Sequence, residues 1–91
     1  MKALPSNVEF HRRTAEFTET SIPDGLRRSH RTRAGVWGRI VVLEGQLLYR
    51  ILAAPAGEFT LDAESPGIVE PEVEHEVEPR GSVRFFVEFH R

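Results

Sequence analysis

Two histidines define what chemistry the interior of this chain can do. His75 stands in the run Ile68 to Pro79, IVEPEVEHEVEP, where Val69, Pro71, Val73, Val77 and Pro79 share its odd parity and Glu70, Glu72, Glu74, Glu76 and Glu78 take the even positions. A period of two is the period of a strand, so the pattern predicts a half-buried β-strand with glutamates toward water and His75 among the valines. An imidazole turned into an apolar core must be hydrogen-bonded or must bind something, because a bare polar group there costs roughly 1–3 kcal/mol. His30 lies forty-five residues earlier, in LRRSHRT, a separation compatible with facing strands of an antiparallel roll. His11 and His90, near the chain ends, read as surface or interface residues.

Other chemistries are excluded by what is missing. With no cysteine, thiolate catalysis, disulfides and cysteine-based zinc sites drop out. No Ser/His/Asp order, phosphate-cradling glycine loop or His-Glu-x-x-His helix is present.

The elements that must hold the histidines are short strands separated by turn residues, the signature of an all-β barrel or sandwich. SIPDGL is a turn and LRRSHRT a polar or edge strand. Trp37 to Leu43 and Gln46 to Leu52 read as a hairpin about Glu44-Gly45. APAG, AESPG and PRGS are further turns around the strands EFTLD and IVEPEVEHEVE. In the last strand, VRFFVEFHR, Val83, Phe85, Val87 and Phe89 face inward while Arg84, Phe86, Glu88 and His90 face outward. Short strands would expose sheet edges unless they close, so a compact antiparallel β-barrel is expected, with residues 1–20 as an edge strand or an arm to a second subunit.

Ninety-one residues make one domain, residues 1–91, with one small core. At 40% hydrophobic and 29% charged residues the composition is that of a soluble globular protein, and no apolar run reaches the ~20 residues of a membrane span. The N-terminus lacks the apolar core of a secretory signal, so the cytoplasm is the expected compartment. The net charge is −2, yet Arg27, Arg28, Arg31, Arg33 and Arg39 cluster early while the five alternating glutamates come late. The two segments are expected to pair across neighbouring strands or a dimer interface, and nucleic-acid binding is disfavoured by the acidic balance and the lack of aromatic interleaving.

LRRSHRTRAGVWGRIVVLEGQLLYRI together with GIVEPEVEHEVEP resembles the small cupin-like domain found at the N-terminus of tellurite-resistance protein B and in its stand-alone relatives. The marks are His30 with Thr32, the Gly35 to Gly45 block around Trp37-Gly38, and Val-Glu-Pro followed by His75. The resemblance implies a cupin-type jelly roll with a divalent metal (zinc, nickel, iron or manganese) at the mouth of the barrel. His30 and His75 would be its ligands. Thr32 stands where cupins place a second histidine, so a third ligand either does not exist or comes from Glu70, the preferred choice, or from Glu88 or His90. Trp37 could floor the pocket, and Arg28 and Arg39 would stabilise a small oxyanion. Methyl transfer in the tellurite-resistance protein belongs to a separate cofactor-binding domain and is not expected here. The implied function is binding of a divalent metal or small anion, with a link to oxyanion stress and assembly as a homodimer. The alternative is a metal-free β-barrel module for dimerisation or docking.

Overall fold

The computed structural model describes residues 1–91. Runs of β-branched and aromatic residues form six strands: β1 (Phe10–Arg13), β2 (Phe17–Thr18), β3 (Trp37–Ile51), β4 (Gly57–Leu61), β5 (Gly67–Val69) and β6 (His75–His90). A 3₁₀ turn, Asp24–Arg27, lies in the connection between β2 and β3.

The frame is one antiparallel pair of long strands. β3 and β6 run together from Trp37 opposite His90 to Ile51 opposite His75. Fifteen and sixteen residues of regular strand would be too long and straight for so small a domain, and both are bent at the same level. β3 carries one extra residue, Leu43, between the pairs Val42–Phe85 and Glu44–Arg84; β6 carries Gly81 and Ser82 between the pairs Gly45–Val83 and Gln46–Arg80. Gly45 and Gly81 supply the bend with φ of +76° and +75°. One extra residue reverses the parity of a strand, so β3 buries even positions before the bend (Ile40, Val42) and odd ones after it (Leu47, Tyr49). Two extra residues preserve it, so Val77, Val83, Phe85 and Val87 of β6 all enter the core.

The main path of the sheet is β1-β6-β3-β4, with β2 also on β6 and β5 also on β3. Between β1 and β2, Thr14 continues the ladder, its N–H donating to Val87 O at 2.9 Å and its Oγ1 accepting from Val87 N at 3.0 Å. The expected barrel is corrected here: β1 and β4 do not pair, and the sheet is open. β1 remains an exposed edge along all four residues. Within residues 1–20, β1 and β2 both pair with β6.

Four assignments also change, two turns and two strands. Glu44-Gly45 and PRGS are bulges inside long strands rather than hairpin turns, because each half finds its partner in the other long strand. LRRSHRT forms no strand beyond a single bridge at His30. IVEPEVEHEVE is broken in two, since Glu72 takes a φ of +63° and turns the chain between β5 and β6. No helix is long and apolar enough to cross a membrane.

Candidate functional site

His30 and His75 meet because their backbones do. His30 N donates to His75 O at 2.7 Å and His75 N donates to His30 O at 2.9 Å, the reciprocal pair of an antiparallel rung. Residues directly opposite on such a rung send their side chains to the same face. The rings accordingly stand edge to face, centroids 5.2 Å apart and planes at 80°, with His30 Nδ1 3.4 Å from His75 Nε2. Tyr49, one rung along on β3, packs edge-on against His75 at 5.9 Å and donates its hydroxyl to Ile68 O at 2.9 Å.

The hydrogen bonds assign the tautomers. Val73 O can only accept, so His75 Nδ1, at 3.0 Å from it, carries the proton. In the neutral ring Nε2 is then a bare lone pair, and His30 Nδ1–H is the donor that faces it. Burial lowers the pKa of both rings; in His75 the Val73 carbonyl opposes the shift and the nearby His30 adds to it. Both imidazoles are therefore held in the form that binds metals.

The glutamate ladder locks this rung from outside. Glu74 accepts from Ser29 Oγ and from Arg31 at 2.5 Å, so the two residues flanking His30 grip the residue preceding His75. Glu76 and Glu78 share Arg50 at 2.9 and 2.8 Å, and Glu58 completes that cluster at 3.0 Å. Of the early arginine cluster only Arg31 pairs with the glutamate ladder; the ladder's other arginine pairs are made by Arg50.

Two spaces adjoin the rings. Beneath them is a cavity of about 20 Å³ whose polar lining is His30, Thr32 and His75 and whose remaining walls include Ile40, Val69 and Phe85. That is room for about one water or a single ion. Beside His30 opens a cleft of about 310 Å³ lined by His11, Arg12, Arg31, Thr32, Arg33 and Arg91, with Val36 and Phe89 as its apolar wall.

A pH dependence follows from the two lowered pKa values. The unfolded chain takes up protons on these histidines near pH 6.5 whereas the native rings resist them, so the unfolded state binds more protons below that pH. Stability is full above about pH 6.5 and falls as the pH drops below it. Urea titrations at pH 7.5 and 5.5 should show the loss, and H30Q/H75Q should flatten it. An equal slope in the double variant would place the titrating groups elsewhere.

Of the residues expected from sequence, His30 and His75 come together, and neither Glu70, Glu88 nor His90 joins them. The Glu70 carboxylate lies 3.3 Å from Lys2 Nζ, and no group of three His, Cys, Asp or Glu side chains is assembled. Glu70 contributes its carbonyl, which accepts from the Thr32 hydroxyl at 3.4 Å. Glu88 and His90 pair with each other at 3.1 Å. Arg39 is exposed because its neighbours Gly38 and Ile40 are buried and alternation turns it outward; Arg28, after the 3₁₀ turn, is exposed as well. Neither they nor half-buried Trp37 lines the cleft. Arg12, Arg33, Arg91 and His11 do, and sequence reasoning missed them as a group. Arg33 was legible as part of the arginine cluster, while Arg12 and Arg91 join it only through the pairing of β1 with the end of β6.

These features define a small open β-sheet domain with a paired-imidazole pocket beside a cationic cleft. The chain belongs to the TehB-like domain family, whose model matches residues 12–87. The crystal structure of TehB from Haemophilus influenzae is similar over 93% of this chain at 24% identity and a TM-score of 0.84. The chain covers 32% of that protein. A crystal structure of a protein from E. coli (strain K12) is similar over 100% of this chain and 97% of its own, at 21% identity and a TM-score of 0.87. A crystal structure of FeII HppE is similar over 98% of this chain and 59% of its own, at 14% identity and a TM-score of 0.58. At these identities the likeness concerns the fold. No curated protein matches the chain.

Proposed function

We propose that this TehB-like domain is a ligand-binding module that holds a divalent metal ion through His30 and His75, on an open sheet that is a reduced form of the cupin-type jelly roll. The observation that carries the reading is the 3.4 Å separation of the two ring nitrogens. Two metal–nitrogen bonds of ~2.0–2.1 Å at a tetrahedral angle span about the same distance. A metal there would replace the long hydrogen bond between the rings, taking the lone pairs of His75 Nε2 and of His30 Nδ1 in its other tautomer. Val73 O already fixes the orientation and tautomer of His75, the supporting role that a carbonyl plays behind metal-bound imidazoles. Neutral imidazole suits zinc, nickel and iron. The fold neighbour HppE, solved with iron(II), agrees with this choice.

Two protein ligands leave coordination positions for water or an incoming anion, and Thr32, lining the cavity, is placed to hydrogen-bond such a group. When bound, the ion supplies Lewis acidity at the inner end of the cationic cleft. The family link to tellurite resistance makes oxyanions the relevant ligand class.

Metal content and affinity of purified protein test the reading. Loading with zinc or nickel should reach one ion per chain, and H30A and H75A should each weaken binding by at least ~100-fold. Substoichiometric metal, the same in wild type and both variants, would remove the metal from the account.

A further inference from the structure

The cleft beside His30 has a charge imbalance that neither the fold nor the metal reading requires. Four arginines, Arg12, Arg31, Arg33 and Arg91, and two histidines line it, and no aspartate or glutamate side chain does. Two arginines elsewhere are fully paired, Arg50 with three carboxylates and Arg84 with Glu16 and Glu44 at 2.7 and 2.9 Å, whereas those without a partner outside the cleft, such as Arg28 and Arg39, are exposed and do not converge on one space. In the cleft only Arg31 has a carboxylate partner, Glu74. Arg12 stacks on the Phe89 ring at 4.8 Å, which fixes its plane without reducing its charge. Arg33 and Arg91 form no salt bridge.

We infer that this cleft is a binding site for a small oxyanion, held by Arg33, Arg91 and Arg12 with its inner end at His30. Planar guanidiniums suit an oxyanion because each presents paired donors that match two of its oxygens. The volume, about 310 Å³, lies at the small end of ligand pockets and matches a compact anion. The chemistry commits to an anion of compact shape, inorganic or a short carboxylate.

The inference deepens the metal reading and rests on it for one consequence only. A dication on two neutral imidazoles beside four guanidiniums is repelled by them, and an anion in the cleft removes that repulsion. Anion and metal should therefore bind with positive coupling, each raising the affinity of the other by the same factor.

The experiment uses the full chain, first stripped of metal with a chelator that is then removed, and titrated calorimetrically with sulfate, phosphate and acetate. Saturable binding of one sulfate or phosphate per chain is expected, with acetate weaker if the site is matched to a tetrahedral anion and comparable if it takes carboxylates. R33Q and R91Q should each weaken binding by about tenfold or more, the loss of a charge-assisted contact. R80Q makes the same change in net charge at an exposed position on β6 opposite Gln46, and it should leave binding unchanged. Absence of saturable binding, or equal losses in R33Q, R91Q and R80Q, would overturn the site. Sulfate is then titrated at fixed zinc. If zinc fails to bind at all, the metal reading falls while the metal-free sulfate result stands by itself; if both bind without affecting each other, the coupling is wrong.

Discussion

Replacing Gly45 by alanine is expected to destabilise the protein by about 2–5 kcal/mol, a large part of the ~5–15 kcal/mol that holds a small domain together. Two effects add. At φ of +76° an L-residue loses roughly 1–2 kcal/mol relative to glycine. The new Cβ is also driven into the Ser82 carbonyl oxygen, with Ser82 C and Val83 Cα at 3.1 Å, and because these are backbone atoms of the paired strand they cannot rotate away. Forcing atoms into a filled space adds about 1–3 kcal/mol. Gly81 separates the two effects: its φ is +75° but a Cβ there meets nothing within 4 Å. G81A should therefore lose only about 1–2 kcal/mol. Urea unfolding of both variants measures the difference. Equal losses would mean that the coupled bend of β3 and β6 does not bring Gly45 against Ser82.

Phe85→Ala should lose about 3–5 kcal/mol, the range for deleting a fully buried aromatic ring. Phe85 is 0% exposed, pairs across the sheet with Val42 and Phe17, and meets the Phe17 ring edge-on at 5.6 Å. It also forms part of the wall below His30 and His75, so its removal enlarges the space under the site. Thermal unfolding should fall by about 4–8 °C for each kcal/mol lost, and F85L, which keeps most of the volume, should lose far less. A loss below about 1 kcal/mol in F85A would contradict the core as described.

The sequence and the structure agree where a local rule decides the outcome. Parity placed His75 with Val77, and Val83 with Phe85 and Val87, because within one uninterrupted strand each residue fixes the face of the next. At Glu70 parity also fits, since its carboxylate meets the exposed Lys2 on the outer side, while the chain turns just beyond it at Glu72 with a positive φ. Glu44-Gly45 read as a hairpin and PRGS as a turn because a glycine with positive φ serves a tight turn and a bulge equally well; only the distant partner strand distinguishes them. The approach of His30 to His75 was anticipated from facing strands, though the contact is a single rung rather than a ladder. The cationic cleft had no local signature, since Arg12, Arg33 and Arg91 belong to three separate parts of the chain.

β1 is hydrogen-bonded to the last residues of β6: Phe10 sits opposite His90, and Glu9 and Arg91 exchange backbone hydrogen bonds at 3.1 and 2.9 Å. On a ribosome the segment carrying His11 and Arg12 therefore cannot dock until synthesis has passed residues 88–91. Both imidazoles are already available by residue 75, but the guanidinium wall is completed only with Arg91. Pairings of such sequence separation are also the slow ones to form, so a chain caught midway would carry the two rings without the charged enclosure beside them.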